Sequence, residues 1–259
     1  MIARALALLA ALVLLCGATV DPNDPLKSAT IDERIGAQVP LDAPFVAANG
    51  NATTLRRIAS GRPLLLTPVL HECPNICGVT LAGLGQAIAG QTRFAPGKDF
   101  AVVAFGIDPR EGPAQARDDL QRLGQQTAAF TPAALTGSEA AIHAVTDALG
   151  YRYAWDDRIK QYAHVSATAV LTPDGRLSGW LYGIAPSPGE LTMAVDNARN
   201  GRTGSVMEQL LLLCYHFDPQ TGTWSLAITK VVRLAGIATV LALIALVVVL
   251  AKRRRRAEA

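Results

Sequence analysis

The chain has 259 residues, half of them hydrophobic, and a formal net charge of +3. That length and composition fit one medium domain, with or without membrane segments. Five of the positive charges sit in Lys252–Arg256 beside Glu258; the rest of the chain holds 19 basic and 20 acidic residues, which excludes the basic face of a nucleic-acid binder.

In chain order, Arg4 precedes an apolar stretch from Ala5 to Leu15. It is too short to span a bilayer comfortably and reads as a secretory signal peptide over residues 1–18, with small residues at Cys16-Gly17-Ala18 for cleavage. Cys16 is expected to leave with it, a lipid-bearing cysteine at this position being the lesser alternative because the bulky Leu15 precedes it. Residues 19–44 are polar and proline-rich, an extended lead-in. Phe45 to Gly50, with the turn pair Asn49-Gly50, opens a hairpin. Arg62 to Leu70 is a short apolar run of the kind found in buried strands, with Pro68 marking its end. From Cys77 to Ile88, Val79, Leu81, Leu84 and Ile88 recur at helical spacing.

The alternation continues. Phe100 to Ile107 predicts a second buried strand, and residues 113–124 a helix with Pro113 in its first turn. Residues 128–132 predict a short strand. Ser138 caps a helix from Glu139 to Leu149 that Gly150 ends. Val165–Leu171 and Leu177–Tyr182 flank the turn Pro173-Asp174-Gly175, and Pro188–Arg199 predicts a last helix. Strands alternating with helices, then a hairpin, argue for an α/β sheet covered on both faces over residues 45–200.

Residues 201–230 form a separate, membrane-proximal module with a turn at Asp218–Gly222. Leu234 to Ala251 carries no charge and predicts a transmembrane helix over residues 231–251. The basic tail, 252–259, should stay in the cytoplasm by the positive-inside rule. The main domain then faces the other side, in a bacterial-type cell the periplasm, where thiols can be oxidised.

Cys73 and Cys77 fall where the first buried strand gives way to a helix. Ligand sites of open α/β sheets lie at the carboxyl ends of strands, and a helix N-terminus favours the thiolate. With the first turn helical, the two sulfurs share a face about one turn apart. That admits two bonds to one soft ion, with Cu(I) the first choice, or one disulfide. A static disulfide is the plain alternative, although so small a loop constrains the unfolded chain little. An added imidazole would also admit Cu(II).

Of four histidines, His71 lies close to the cysteines in sequence, His143 falls on a helix surface, His216 belongs to the membrane-proximal module, and His164 stands at the start of Val165–Leu171. Asp108-Pro109 either supports the site or simply ends a strand. Cys214 and His216 would share one side of a strand.

Three stretches in this order, Cys-Pro-Asn-Ile-Cys at 73–77, GIDPRE at 106–111 and AHVSATAVLTPDGRL at 163–177, resemble the Sco/SenC family. The resemblance covers roughly residues 40–200 and differs from the family pattern at Gly78, where a proline is common, and at Ala163, where an aspartate is common. It implies a thioredoxin-like fold and a membrane-anchored copper protein acting in assembly of the CuA centre of cytochrome c oxidase. It further implies Cys73, Cys77 and His164 as ligands for Cu(I) or Cu(II), with Asp108 supporting them. The implied partners are a periplasmic copper donor, an oxidase subunit or other cuproprotein, and the membrane. A thiol-disulfide reductase that keeps a target's cysteines reduced is the alternative activity.

Overall fold

The computed structural model describes residues 25–72, 77–204, 215–218 and 223–226, with scattered positions between 236 and 243; for residues 26, 27, 77, 215–218 and 223–226 the description is of the backbone. A short helix, α1 (Pro25–Ser28), lies in the lead-in, which is tied to the domain by bridges from Ile31 to Tyr151 and from Gln38 to Arg176. The predicted hairpin follows as β1 (Phe45–Ala47) and β2 (Ala52–Thr53), then α2 (Leu55–Ala59), capped by the Thr54 side chain.

Next come β3 (Leu64–Val69), α3 (Cys77–Ala89), β4 (Ala101–Gly106), α4 (Pro113–Gln126) and β5 (Ala133–Gly137). Then follow α5 (Glu139–Leu149), a small hairpin of β6 (Ala154–Asp156) and β7 (Gln161–Ala163), and a longer one of β8 (Ala167–Leu171) and β9 (Leu177–Tyr182). The domain closes with α6 (Pro188–Arg199), started by a capping box between Ser187 and Glu190. Beyond it, β10 (Tyr215–Asp218) and β11 (Thr223–Leu226) pair antiparallel across the expected turn.

One seven-stranded sheet runs in the order β2-β1-β5-β4-β3-β8-β9. Its centre is parallel, β3 with β4 and β4 with β5, while β1 and β8 join it antiparallel. Every residue of β3 and β4 is buried, which requires helices on both faces of the sheet. That is the covered α/β architecture the alternating pattern predicts.

Four expectations change. Pro68 lies inside β3, opposite Phe105 of β4; the paired register with β8 runs only from Leu64 to Leu66, so the missing N–H breaks no rung there. Residues 128–132 form no strand: Phe130 buries its ring, and the ladder to β4 begins at Ala133, just past Pro132. Val79 is 45% exposed, because two residues along a helix places it roughly opposite the buried Leu81, Leu84 and Ile88. Residues 154–163, for which the pattern predicts no strand, form the β6–β7 hairpin, held by the cross-strand pair Trp155 and Tyr162 with ring centroids 5.3 Å apart, edge to face.

Among the described residues no helix is long and apolar enough to cross a membrane. The signal peptide expected at 1–18 lies outside the described residues, and the span at 231–251 almost wholly so.

Candidate metal centre

The β3–β8 register, Leu64 with Leu171 through Leu66 with Ala169, brings the carboxyl end of β3 beside the start of β8. The buried hydroxyls of Thr67 and Thr168 extend that contact, 2.9 Å apart. The segment leaving β3 carries the two cysteines, and the segment entering β8 carries His164. The structure therefore puts His71 and Glu72, which lead toward the cysteine motif, and the motif of His164 at one end of the sheet. Cys77 is the first residue of α3; its side chain, and all of Cys73, lie outside the described residues. Among the described residues no cluster of three metal-ligating side chains occurs.

The turn at His71 and Glu72, just before the cysteine segment in sequence, is held by charge. His71 has no solvent exposure. Its Nδ1 lies 2.9 Å from Asp119 Oδ2 and its Nε2 lies 3.0 Å from the Leu135 carbonyl oxygen. Both partners are acceptors, so both ring nitrogens donate and the ring is an imidazolium. Burial opposes that charge, but Asp119, the Leu135 carbonyl and the nearby Glu111 outweigh it and raise the pKa of His71. The ring fits because position 106 is glycine: a Cβ there would stand 2.9 Å from His71 Nε2 and 2.8 Å from the Leu135 oxygen.

Glu111 grips the same turn by its backbone. One oxygen accepts from the His71 N–H at 3.0 Å, the other from the Glu72 N–H at 2.8 Å. Burial nonetheless pushes its carboxyl pKa up. Arg122 donates to the His71 carbonyl oxygen and reaches Asp119 Oδ1 at 3.4 Å. The turn leading to Cys73 is thus held at two backbone N–H groups and one carbonyl.

Asp108, the expected supporting acid, is 8% exposed. It accepts from the Arg110 backbone N–H at 2.9 Å and from Arg110 Nε at 2.8 Å. Burial works to raise its pKa, but the hydrogen bonds from Arg110 prevail and hold it below the usual carboxylate value. The Arg110 guanidinium lies over the Trp155 ring, 4.2 Å from its centroid. Asp108 therefore ties the loop after β4 to the β6–β7 hairpin that ends next to His164.

His164 Nδ1 lies 3.0 Å from Tyr151 Oη and 3.3 Å from the Val165 carbonyl oxygen. His143, as expected, is on the helix surface, its side chain half exposed and stacked on Tyr153. His216 falls on β10 and Cys214 outside the described residues.

The sequence reading missed Asp119, Glu111 and Tyr151. Asp119 left a signal: it stands on the stripe Ala116, Asp119, Leu123 that α4 buries, an acid on an apolar face that needs a partner. Glu111 stands in the quoted stretch GIDPRE, but its partners are about 40 residues away and nothing local names them; Tyr151 left no signal, its partner being 13 residues away.

A thioredoxin-like domain with two cysteines where a strand passes into a helix, and a histidine brought to the same sheet end, defines the class of protein. The SCO1/SenC family model matches residues 36–198, and the chain belongs to that family. No curated protein matches it in sequence. Among solved structures it is similar to a candidate electron transfer protein from Aquifex aeolicus VF5, with 24% identity over 64% of this chain and 95% of that one and a TM-score of 0.57. It is also similar to a SCO1/SenC family lipoprotein from Bacillus anthracis str. Ames, with 15% identity, coverage of 64% and 96%, and a TM-score of 0.52. A third similarity is to ScoI of Arabidopsis thaliana, solved with copper bound, with 18% identity, coverage of 64% and 99%, and a TM-score of 0.49. The first two likenesses are of fold.

Proposed function

We propose that this protein is a membrane-tethered copper chaperone that binds copper through Cys73, Cys77 and His164 and delivers it to a cuproprotein, the CuA site of cytochrome c oxidase. The observation that carries the reading is the β3–β8 register, which supports a meeting of the start of α3 and His164 at one end of the sheet. Family membership supports the same reading. The donor set suits the cargo: two thiolates favour Cu(I), and an imidazole lets the site keep Cu(II) as well. Oxidised, the two cysteines form a disulfide. Reduced, they take copper from a periplasmic donor and pass it on by ligand exchange.

In this reading residues 1–18 are removed, residues 45–200 face the periplasm, residues 201–230 lie near the membrane surface, 231–251 span it, and the basic tail stays in the cytoplasm. Ile237, Val240 and Leu243, among the few positions described in the C-terminal segment, expose 58%, 42% and 56% of their surface, which suits a lipid-facing helix.

Metal analysis of the reduced full-length protein tests the copper site. The parent is expected to hold one Cu(I), and the double variant Cys73→Ser/Cys77→Ser to lose it. Equal loading of that variant ends the proposal. His164→Ala separates the carrier from a thiol-disulfide reductase: a carrier loses Cu(II) affinity, whereas a reductase keeps its dithiol exchange rate and has no copper affinity to lose.

A further inference from the structure

Tyr151 is 2% exposed, yet its hydroxyl meets the one histidine the proposed site uses. Its placement begins at the end of α5. Gly150 ends that helix with φ at 70°, and a Cβ at this position would lie 1.9 Å from the Asp32 carbonyl oxygen, so no other residue makes the turn without displacing the lead-in. The Tyr151 N–H then donates to Thr146 O at 2.8 Å, and the residue bridges to Ile31. Its ring stacks on Trp180, centroids 5.9 Å apart at 22°, and lies 6.4 Å from Tyr153. Held by backbone and ring together, Oη has a fixed position.

That position decides where hydrogens go. Tyr151 Oη donates to the Val165 carbonyl oxygen at 2.7 Å. A carbonyl only accepts, so the phenolic hydrogen points to Val165 and a lone pair of Oη points to His164 Nδ1, 3.0 Å away. The second oxygen near Nδ1, that of Val165 at 3.3 Å, is also an acceptor. An Nδ1 without hydrogen would face two oxygens across lone pairs. An Nδ1–H satisfies both.

We propose that Tyr151 is a positioning residue that holds His164 in its Nδ1–H tautomer and so assigns Nε2 as the nitrogen that binds copper. This rests on the reading of His164 as a ligand. The physical role is the one that outer hydrogen bonds play for metal-bound imidazoles: they fix tautomer and ring orientation and raise basicity. Here the acceptor is a neutral phenol relayed to a backbone carbonyl, so the imidazole is oriented with no added charge beside the metal.

The test is nitrogen NMR of the reduced, metal-free, full-length protein labelled with 15N-histidine, recorded on the neutral ring. The wild-type His164 is expected to show a protonated Nδ1 and an unprotonated Nε2. Tyr151→Phe keeps the ring and its stacking and removes only the hydroxyl; it is expected to give a mixture of the two tautomers. Its Cu(I) affinity, measured against a competing chelator, should fall about 10- to 100-fold. A wild-type ring in the Nε2–H form overturns the proposal without recourse to any variant, as does a Tyr151→Phe protein with unchanged tautomer and affinity. A wild-type protein that shows the Nδ1–H form and takes up no copper overturns the ligand reading and leaves the control of the tautomer by Tyr151 standing.

Discussion

The two sides of the candidate centre are supported by opposite means. At the turn that precedes the cysteine segment lies a network of His71, Asp119, Glu111 and Arg122, four ionisable side chains around one turn of backbone. His164 meets the Tyr151 hydroxyl, and the Tyr151 ring is joined by ring contacts to Trp180 and Tyr153 and, through Tyr153, to Tyr162 and Trp155. Charged hydrogen bonds are directional and fail badly when one partner is lost; ring packing is less directional and degrades gradually. His71 and Glu72 follow the end of β3 in a turn, outside any strand or helix, so they need anchors at individual backbone atoms. His164 sits between two strands that already set its backbone, and needs only its ring oriented.

Breaking the charged side should have the largest effect. Asp119→Ala leaves the His71 imidazolium buried without its carboxylate and is expected to destabilise the domain by about 3–5 kcal/mol in denaturant unfolding. A loss under ~1 kcal/mol would mean that the network is not charged as described. The same network predicts a pH dependence. The raised pKa of His71 means its contribution is complete below the ordinary histidine value of about 6.5 and is lost as pH rises through the folded-state pKa. Unfolding midpoints should therefore fall on the alkaline side in the parent, and the fall should flatten in Asp119→Ala.

The aromatic side predicts smaller numbers. A double-mutant cycle on Trp155→Leu and Tyr162→Leu should return a coupling of about 0.5–1.5 kcal/mol for the edge-to-face pair, on top of the area each ring buries. A coupling as large as that at Asp119 would erase the contrast between the two sides. The smallest effect is expected at Gly78, the second residue of α3. A Cβ there would find the Gln126 side chain at 3.6 Å, an ordinary contact. Gly78→Ala should stabilise the reduced protein by up to ~1 kcal/mol, read from its melting curve, because it removes freedom from the unfolded chain.

Much of this was legible in the chain itself. Ser138 and Gly150 bound α5, and Pro188 and Arg199 bound α6, at the residues the capping chemistry names. The runs at 64–69 and 101–106 read as buried strands because both faces of each are apolar. The hairpin at 154–163 did not, since its strands are three residues long and its stability lies in rings facing each other across the turn.

The sequence by itself determined the alternation of strands and helices and the place of Cys77 at a helix start. Periodicity, capping and short-range motifs act over a few residues, so one chain is enough to display them. Only the tertiary structure decided that His71 is a buried cation locked to Asp119, that Glu111 holds the backbone before Cys73, and that Tyr151 orients His164. Those partners are 48, 40 and 13 residues apart in sequence, and sheet register and helix packing, not local pattern, bring them within hydrogen-bonding distance.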